Sequence, residues 1–506
     1  MHKVQGLKRF GVPLVCGSVL LALGHLATAA ELGSINRPQL RVGPAQAQVT
    51  TPDIASGPQY GLFKCQVIGA GSAANCLDPY EMRRAYRTDT QIAAGYDGSG
   101  QTIVIVDAYD NPNLEAQIAH FNAYYGLPPT HLTRVAPDGL VPFDPTDPNM
   151  VGWAEEISLD VEWAHAIAPG ANIVLVQART PSDVDISSAL KYAVDNRLGD
   201  VVSMSFGENE SCIDPAQMAA YHQIFVNATK KNMTLVASSA DQGAAQSSCD
   251  GTSWVKAVSS PAVDPLVTGV GGTELTVAKY CLPSLGCDPT QNPAAGTYQS
   301  ETVWNEGLPY GDYGNLFGYG TLSGGGGYSV VYGEPPYQQG TIHGGKQRAV
   351  PDVSYSGAVE HGVLTYLDIP GVPAGFYLFG GTSAGAPQWA AIAAITNHKA
   401  GHALGFLNSA LYKIGRTPVG GSGLHDITVG TNSSLQFDQY GNPVDIVGYG
   451  AGPGWDAASG IGTPIASSIV DLLIAQVAPG DAVAVINNTK ATPVGKPAVT
   501  GRVKPH

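Results

Sequence analysis

The run Thr102–Asp107 (TIVIVD) is the first indication of the fold class of this chain, because almost every residue in it is apolar. Apolar runs of this length that end in a polar residue are typical of strands buried on both faces of a parallel sheet. Similar runs recur downstream at Asn172–Gln177 (NIVLVQ), Val201–Ser205 (VVSMS) and Thr234–Ser238 (TLVAS). Helical patterns occupy the intervals at Asn113–Tyr125, Gly152–Ile167, Pro181–Asn196 and Pro215–Lys231, with further candidates at Ala384–His398 and Ala466–Val477. This alternation predicts an α/β fold with a mostly parallel central sheet and helices on both faces.

The charge balance narrows the class of partner. The 506 residues include 26 Lys and Arg against 41 Asp and Glu, a net charge of −15. A chain this acidic lacks the basic face that neutralises phosphates, so no nucleic-acid partner is expected. Only 13% of residues are charged, about half the usual share. A surface with few bases gains little charge in acid, which favours an acidic working environment.

The first residues predict export. Lys3, Lys8 and Arg9 precede an apolar run, Val12–Leu26, that ends in Ala27-Thr28-Ala29. This pattern is typical of a secretory signal peptide over residues 1–29; an uncleaved anchor is the alternative. We expect a secreted protein, extracellular or periplasmic, that is monomeric and has no membrane contact once the signal is removed. Residues 30–76 are interpreted as a short leader, 77–478 as the catalytic domain and 479–506 as a flexible tail.

Six cysteines remain after Cys16 of the signal, and an even number in an exported chain favours disulfides. Pairing between sequence neighbours predicts three bridges, Cys65–Cys76, Cys212–Cys249 and Cys281–Cys287. Six cysteines permit 15 connectivities, so these pairs are a hypothesis. Zinc is the alternative, but the sequence has no CxxC.

A candidate nucleophile lies in Gly380–Pro387 (GGTSAGAP), where small residues surround Ser383 at the predicted entrance to a helix. A helix N-terminus offers N–H groups and a positive dipole end beside a developing oxyanion. The alternative is that Thr382 or Ser383 merely caps the helix. A serine needs a general base, and the usual histidine motifs are absent, so another group is expected to serve.

Carboxylates are the candidates for that base. Glu156 and Asp160 are four residues apart and share one face of a predicted helix beside an apolar stripe. Two acids that share a proton would raise one pKa and let a carboxylate activate a serine in acid. Asp241 follows the strand Thr234–Ser238, at the edge of the sheet where α/β active sites assemble. If protonated, Asp241 would donate a hydrogen bond to an oxyanion. The alternatives are a solvated acidic face for the pair and a turn for Asp241.

Taken in order along residues 77–478, these motifs resemble the sedolisin family of serine-carboxyl peptidases, which have a subtilisin-like fold and act in acid. The resemblance is carried by Glu156-x-x-x-Asp160, Ser239-Ala240-Asp241-x-Gly243, Ser323–Ser329 (SGGGGYS), Pro351–Ser354 (PDVS), Gly381–Ala384 (GTSA), Gly405–Tyr412 (GFLNSALY), Asp426–Thr428 (DIT), Gly454–Asp456 (GWD) and Gly460–Pro464 (GIGTP).

The resemblance implies a role for each matching residue. Ser383 would be the nucleophile of a peptidase acting on polypeptides, Glu156 its general base, Asp160 the residue that orients Glu156, and Asp241 the oxyanion donor. Asp107 stands where the family often has a glutamate after the first strand, next to the catalytic carboxyl groups. The implied calcium site comprises the Asp426 and Asp456 side chains and the carbonyls of Ile427, Gly452 and Gly454, hard oxygen donors that suit one structural Ca²⁺.

Two glycine-containing segments are candidates for substrate binding, because their backbone groups could pair with an extended peptide. They are Ser205-Phe206-Gly207 and Ser323-Gly324-Gly325. Two alternative functions remain open. One is a subtilisin-like Ser/His/Asp peptidase, and the other is a catalytically silent binding module stabilised by calcium.

Overall fold

The computed structural model describes residues 61–72, 75–306, 320–342, 346–417, 423–478 and 480–488, together with the backbone of three short strands between 37 and 49. The predicted signal peptide, most of the predicted leader before residue 61 and the predicted tail after residue 488 lie outside these residues.

The described strands are, in chain order, β1 (Arg37–Pro38), β2 (Arg41–Gly43), β3 (Gln48–Val49), β4 (Leu62–Phe63), β5 (Asn75–Leu77), β6 (Thr102–Ala108), β7 (His131–Val135), β8 (Asn172–Ala178), β9 (Val201–Met204), β10 (Phe206–Asn209), β11 (Thr234–Ser238), β12 (Ala245–Ser247), β13 (Trp254–Lys256), β14 (Ser259–Ser260), β15 (Thr268–Val277), β16 (Tyr298–Val303), β17 (Asn305–Glu306), β18 (Leu322–Ser323), β19 (Gly327–Gly333), β20 (Gln347–Val350), β21 (Val353–Ser356), β22 (His361–Leu367), β23 (Gly375–Gly380), β24 (Leu424–His425), β25 (Ser434–Phe437), β26 (Pro443–Ile446) and β27 (Thr463–Pro464).

The described α-helices are α1 (Pro79–Ala85), α2 (Thr88–Ala93), α3 (Leu114–Tyr125), α4 (Pro148–Ile167), α5 (Asp183–Asp195), α6 (Pro215–Lys230), α7 (Thr382–Ala400), α8 (Asn408–Gly415), α9 (Ala466–Gln476) and α10 (Asp481–Asn488).

The central sheet has the order β16-β15-β11-β9-β6-β8-β7, with β21 also paired to β15. All of its pairings are parallel except β15 with β16. The four apolar runs therefore form β6, β8, β9 and β11, side by side, and the predicted α/β class is confirmed. Their side chains are nearly all buried, because helices cover the sheet on both faces.

Two apolar cores lie on opposite faces of this sheet. Along β6, Ile103 and Ile105 pack with α4 and α7 on one face, whereas Val104 and Val106 pack with α5 and α6 on the other. Alternate residues of a strand point to opposite faces, which accounts for the division. Burying one such side chain contributes about 2 kcal/mol. The sheet and α4 and α7 are thereby held as one unit, and this unit carries the candidate site.

The three predicted disulfides, Cys65–Cys76, Cys212–Cys249 and Cys281–Cys287, are confirmed. The first one changes the interpretation of the leader. Leu62 and Cys65 are fully buried, and β5 pairs with β22, so residues 61–72 and 75–76 are part of the folded domain. The sequence does not indicate that this segment is folded, because its two strands are only two and three residues long.

The region interpreted as a tail starts with a helix, α10, whose Val485 is buried. Within the described ranges, each helix taken singly is too short or too polar to cross a bilayer. Only α9 and α10 together, which meet at a bend of 77°, reach the necessary length and composition.

Candidate active site

The site lies where three adjacent parallel strands end. Asp107 is the sixth residue of β6, Ser205 follows β9 directly, and Asp241 lies three residues beyond β11. Since β11, β9 and β6 are neighbours, these residues reach the same edge of the sheet. Helix α7 packs against β9 and β11, and α4 packs against both β6 and α7. Ser383 on α7 and Glu156 on α4 are thus brought to that edge.

Ser383 is the second residue of α7 and is fully buried. The residue that caps this helix is Gly381, which has φ of +98° and no capping side chain. A backbone in this region favours glycine. Ser383 and Thr382 therefore lie inside the helix, and the alternative of a capping role is wrong. The Ser383 hydroxyl donates to the backbone carbonyl of Ser205 over 3.2 Å.

Glu156 and Asp160 are both fully buried, so the alternative of a solvated acidic face is wrong. Burial raises the pKa of Glu156 well above its usual value, and the charges of Asp160, Asp107 and Asp241 raise it further. The nearby Ser383 hydroxyl acts in the opposite direction. Neither Glu156 oxygen has a partner in hydrogen-bonding geometry within the described structure, because Ser383 donates to Ser205 instead. A rotation about the Ser383 Cα–Cβ bond would redirect its proton towards Glu156.

Asp107 and Asp160 continue this acidic cluster into the protein. Burial raises the pKa of Asp107 to about 8. Burial and the charge of Asp107 raise the pKa of Asp160, which the Ser205 hydroxyl partly offsets. Like charges this close cannot all ionise in a dry site, so the cluster retains protons. The arrangement can accept a proton at one carboxylate while its neighbours stay neutral.

Asp241 is held against the start of α7 rather than serving only as a turn residue. Its Oδ1 accepts the Thr382 backbone N–H over 2.7 Å and the Thr382 hydroxyl over 2.9 Å. Ala240, just before it, has φ of +103°, an unfavourable value for a residue with a Cβ. The backbone is therefore held in a strained conformation where it presents Asp241. The sequence does not reveal this contribution of Thr382, whose place beside Ser383 is the only signal.

The backbone of Phe206–Gly207 already pairs with an extended segment. Arg37–Pro38 of β1 runs antiparallel to it, with Arg37 opposite Gly207 and Pro38 opposite Phe206. The Phe206 side chain is buried and lies 6.2 Å from the ring of Trp153 on α4. Phe206 and Gly207 thus pair with an extended segment of the same chain, and substrate binding at residues 205–207 stays a prediction.

The expectation for Ser323, Gly324 and Gly325 needs correction. Their backbone N–H groups donate to the carbonyls of Asp241, Trp304 and Ala240, so none of these donors is available to a peptide. The glycines reflect close packing, since a Cβ on Gly325 would lie 2.1 Å from the Ser239 carbonyl oxygen. The sequence shows that glycines are needed there, but not what approaches them.

The five residues of the implied calcium site lie together in one loop region. Asp426 accepts the Gly454 N–H, and Asp456 accepts the N–H of Gly452. The Ile427 carbonyl lies 3.4 Å from the Ser459 hydroxyl, which also donates to Asp456. Two carboxylates with neighbouring carbonyls form a donor set of hard oxygens that suits Ca²⁺. In the part of the chain that the structure describes, no three His, Cys, Asp or Glu side chains cluster as metal ligands.

Comparisons with known proteins bear on the fold and the family of this chain. A model of the subtilase family matches residues 149–404. Kumamolisin from Bacillus sp. (strain MN-32) is 31% identical over 80% of this chain and 64% of its own length. Sedolisin from Pseudomonas sp. (strain 101) is 31% identical over 55% of this chain and 41% of its own length.

Among solved structures, Pseudomonas sedolisin, a serine-carboxyl proteinase complexed with two molecules of pseudo-iodotyrostatin, superposes with a TM-score of 0.64. It is 25% identical and covers 80% of this chain and 100% of its own. The chain thus has the subtilisin-like fold and belongs to the subtilase family. Within that family it is a member of the sedolisins, as the ordered motifs predict. It spans less than two thirds of the length of the two curated relatives described above, 64% of one and 41% of the other.

Proposed function

We propose that this chain is a secreted serine-carboxyl endopeptidase that hydrolyses polypeptides in acid. The observation that carries the proposal is the convergence of Ser383 with Glu156, Asp160 and Asp241 at one buried edge of the sheet. Membership of the sedolisin family supports the same reaction class.

In the proposed reaction, the Ser383 oxygen attacks the carbonyl carbon of the scissile bond and its proton passes to Glu156. The carbonyl oxygen becomes an oxyanion that accepts hydrogen bonds from protonated Asp241 and the Ser383 backbone N–H. Collapse breaks the C–N bond, and Glu156 returns the proton to the leaving amine. Water then hydrolyses the acyl-enzyme, again with Glu156 as base. Asp160 orients Glu156, and Asp107 supports Asp160.

The acidic working range follows from the protons that the mechanism needs. Asp241 donates to the oxyanion only when protonated, and a carboxylate cannot do so. The mutual repulsion of Glu156, Asp160 and Asp107 favours partial protonation of the cluster. Raising the pH ionises more of these groups and removes the donor, so activity falls.

The substrate is an extended polypeptide that binds along the edge of β10 by backbone pairing. The antiparallel pairing of β1 with Phe206–Gly207 supports this mode. One Ca²⁺, held by the Asp426 and Asp456 side chains and the Ile427, Gly452 and Gly454 carbonyls, would brace the loop after β24. We further propose that the mature protein is a monomer and that it is released by removal of residues 1–29. N-terminal sequencing of secreted material would test the site of that cleavage.

The proposal is tested by cleavage of a denatured protein at about pH 4 with single variants. Ser383→Ala and Glu156→Gln should each lower the rate by at least ~10³-fold, and Asp241→Ala by about 10²–10³-fold. Ser187→Ala, at a partly exposed position of α5, is the matched control and should retain the wild-type rate.

Persistence of cleavage in Ser383→Ala would contradict the proposal. A neutral or alkaline optimum would favour a subtilisin-like Ser/His/Asp peptidase. If wild-type protein neither cleaves peptides nor reacts with an aldehyde inhibitor in acid, the chain is a silent binding module.

A further inference from the structure

Glu155 is the acid next to the proposed base, and the mechanism above does not use it. It lies on α4, is half-buried, and makes no hydrogen bond or ion pair with any described residue. Burial raises its pKa to about 7, with no other contribution. A carboxyl group held out of water without a compensating partner is costly, so a partner that arrives with a ligand would offset that cost.

The position of Glu155 on α4 separates it from the acidic cluster. Val151, Gly152 and Glu155 are the partly exposed residues of this stretch and share one side of the helix, whereas Glu156 is fully buried beside Ser383. Glu155 is close enough to Tyr377 of β23 for its charge, added to the effect of burial, to raise the Tyr377 pKa. Glu155 is not among the groups that shift the pKa of Glu156. It therefore borders the site without belonging to the proton network.

Two leader strands outline the groove that Glu155 borders. β1 lies against α4 and pairs antiparallel with Phe206–Gly207. β2 pairs antiparallel with Leu378–Gly380, the end of the strand that leads to Ser383. A substrate chain that uses the same two edges passes between α4 and β23, where Glu155 and Tyr377 lie.

The segment that contains β1 and β2 indicates which charge this groove accepts. Residues 32–52 contain two bases, Arg37 and Arg41, and no acid, and these bases are in β1 and β2. The charged groups that shift the pKa values of Glu156 and Asp160 beside Ser383 are all acids. A cationic side chain entering this groove meets Glu155, a carboxyl group with no competing partner among the described residues, and the cation would favour its ionised form.

We propose that Glu155 is a specificity-determining residue that selects substrates with a lysine or arginine side chain at the rim between α4 and β23. This inference rests on the proposed peptidase function and adds a substrate class to it. A base bound there forms an ion pair with Glu155, half-buried and therefore less screened than one on the surface.

The test uses pairs of fluorogenic peptides in which arginine is placed at one position at a time around a cleavable bond. In each partner peptide, citrulline replaces arginine, because citrulline has a similar shape without the charge. The measured quantity is the ratio of kcat/KM for the arginine peptide to that for the citrulline peptide. The assay is run at the highest pH at which the citrulline peptide is still cleaved, since a protonated Glu155 does not attract a cation.

At one position we expect the ratio to be about 10 in wild-type protein and to fall to about 1 in Glu155→Gln. Glu155→Lys should invert it. Glu115→Gln removes one charge from an exposed site on α3, and should leave both the ratio and the rates unchanged.

Three results would overturn the inference: a ratio near 1 at every position in wild-type protein, a ratio that survives Glu155→Gln, or a variant that lowers both rates equally. The last would place Glu155 in the proton network instead. Failure of the peptidase proposal itself is distinguishable, because wild-type protein would then cleave neither peptide.

Discussion

Glu210 is a buried acid outside the candidate active site, and we expect its protonated form to stabilise the fold at low pH. It follows β10, is buried, and accepts hydrogen bonds from the Ser329 hydroxyl (2.7 Å) and the Val330 backbone N–H (2.6 Å). Burial raises the Glu210 pKa from 4.5 to about 7, although these hydrogen bonds act in the opposite direction. Replacing Glu210 with glutamine keeps the shape, and the amide oxygen still accepts from Val330, but removes the ionisation.

The size of the effect follows from linkage between protonation and folding. A pKa raised on folding contributes stability that is present below the unfolded value of 4.5 and lost as the pH rises through about 7. A shift of about 2.5 pKa units corresponds to about 3 kcal/mol. That is a large part of the usual 5–15 kcal/mol of a folded domain. The difference in unfolding free energy, Glu210→Gln minus wild type, should therefore increase by about 3 kcal/mol between pH 4 and pH 8.

The assay is urea unfolding followed by tryptophan fluorescence at several pH values. Both proteins carry Ser383→Ala, so that self-digestion does not interfere. Asp138→Asn, which removes a carboxyl group at an exposed loop position, is the control for the same chemical change at the surface. Parallel stability curves for wild type and Glu210→Gln over this range would refute the reasoning, because Glu210 would then ionise as it does in the unfolded chain.

Three further predictions concern other parts of the fold. Burial lowers the pKa of His165 to about 4, so the stability that neutral His165 contributes is present above pH 6.5 and lost as the pH falls towards 4. Wild-type protein should therefore lose about 3 kcal/mol of unfolding free energy from this group between pH 7 and pH 4, and His165→Gln should not, as measured by urea unfolding at both pH values. Opening Cys212–Cys249, which spans 37 residues, with the double alanine variant should cost about 4 kcal/mol in the same assay. If the proposed calcium site is real, EGTA should lower the Tm of wild-type protein and leave that of Asp456→Asn unchanged; an equal fall in both would contradict it.

The sequence predicts the central strands well because their apolar character is a local property. β6, β8, β9 and β11 coincide with the four apolar runs to within a residue or two. The sequence predicts that α4 begins at Gly152, whereas the helix begins at Pro148, where Asp147 caps it by accepting the Asn149 N–H. Helix signals of this kind are local too, and here they precede the apolar periodicity on which the prediction depended.

Other features have no local signal. The pairing of β2 with β23 and of β5 with β22 joins segments more than 280 residues apart, and nothing in either short strand specifies its partner. For the same reason, the glycines at 324 and 325 suggested an open edge. In the fold, the backbones of Gly272 and Ser239 occupy the space that side chains would need.

What the sequence determined by itself is therefore the set of building blocks: buried strands from apolar runs, neighbouring cysteines that pair, and an ordered series of hydroxyl and carboxyl residues. Tertiary structure decided which of them meet. Glu156 and Ser383 are 227 positions apart and become neighbours only because α4 packs on α7 over the strand order β11-β9-β6. It also decided their chemistry, because the protonation of Glu156, Asp160 and Asp107 depends on burial and on mutual distance. Neither quantity exists until the chain has folded.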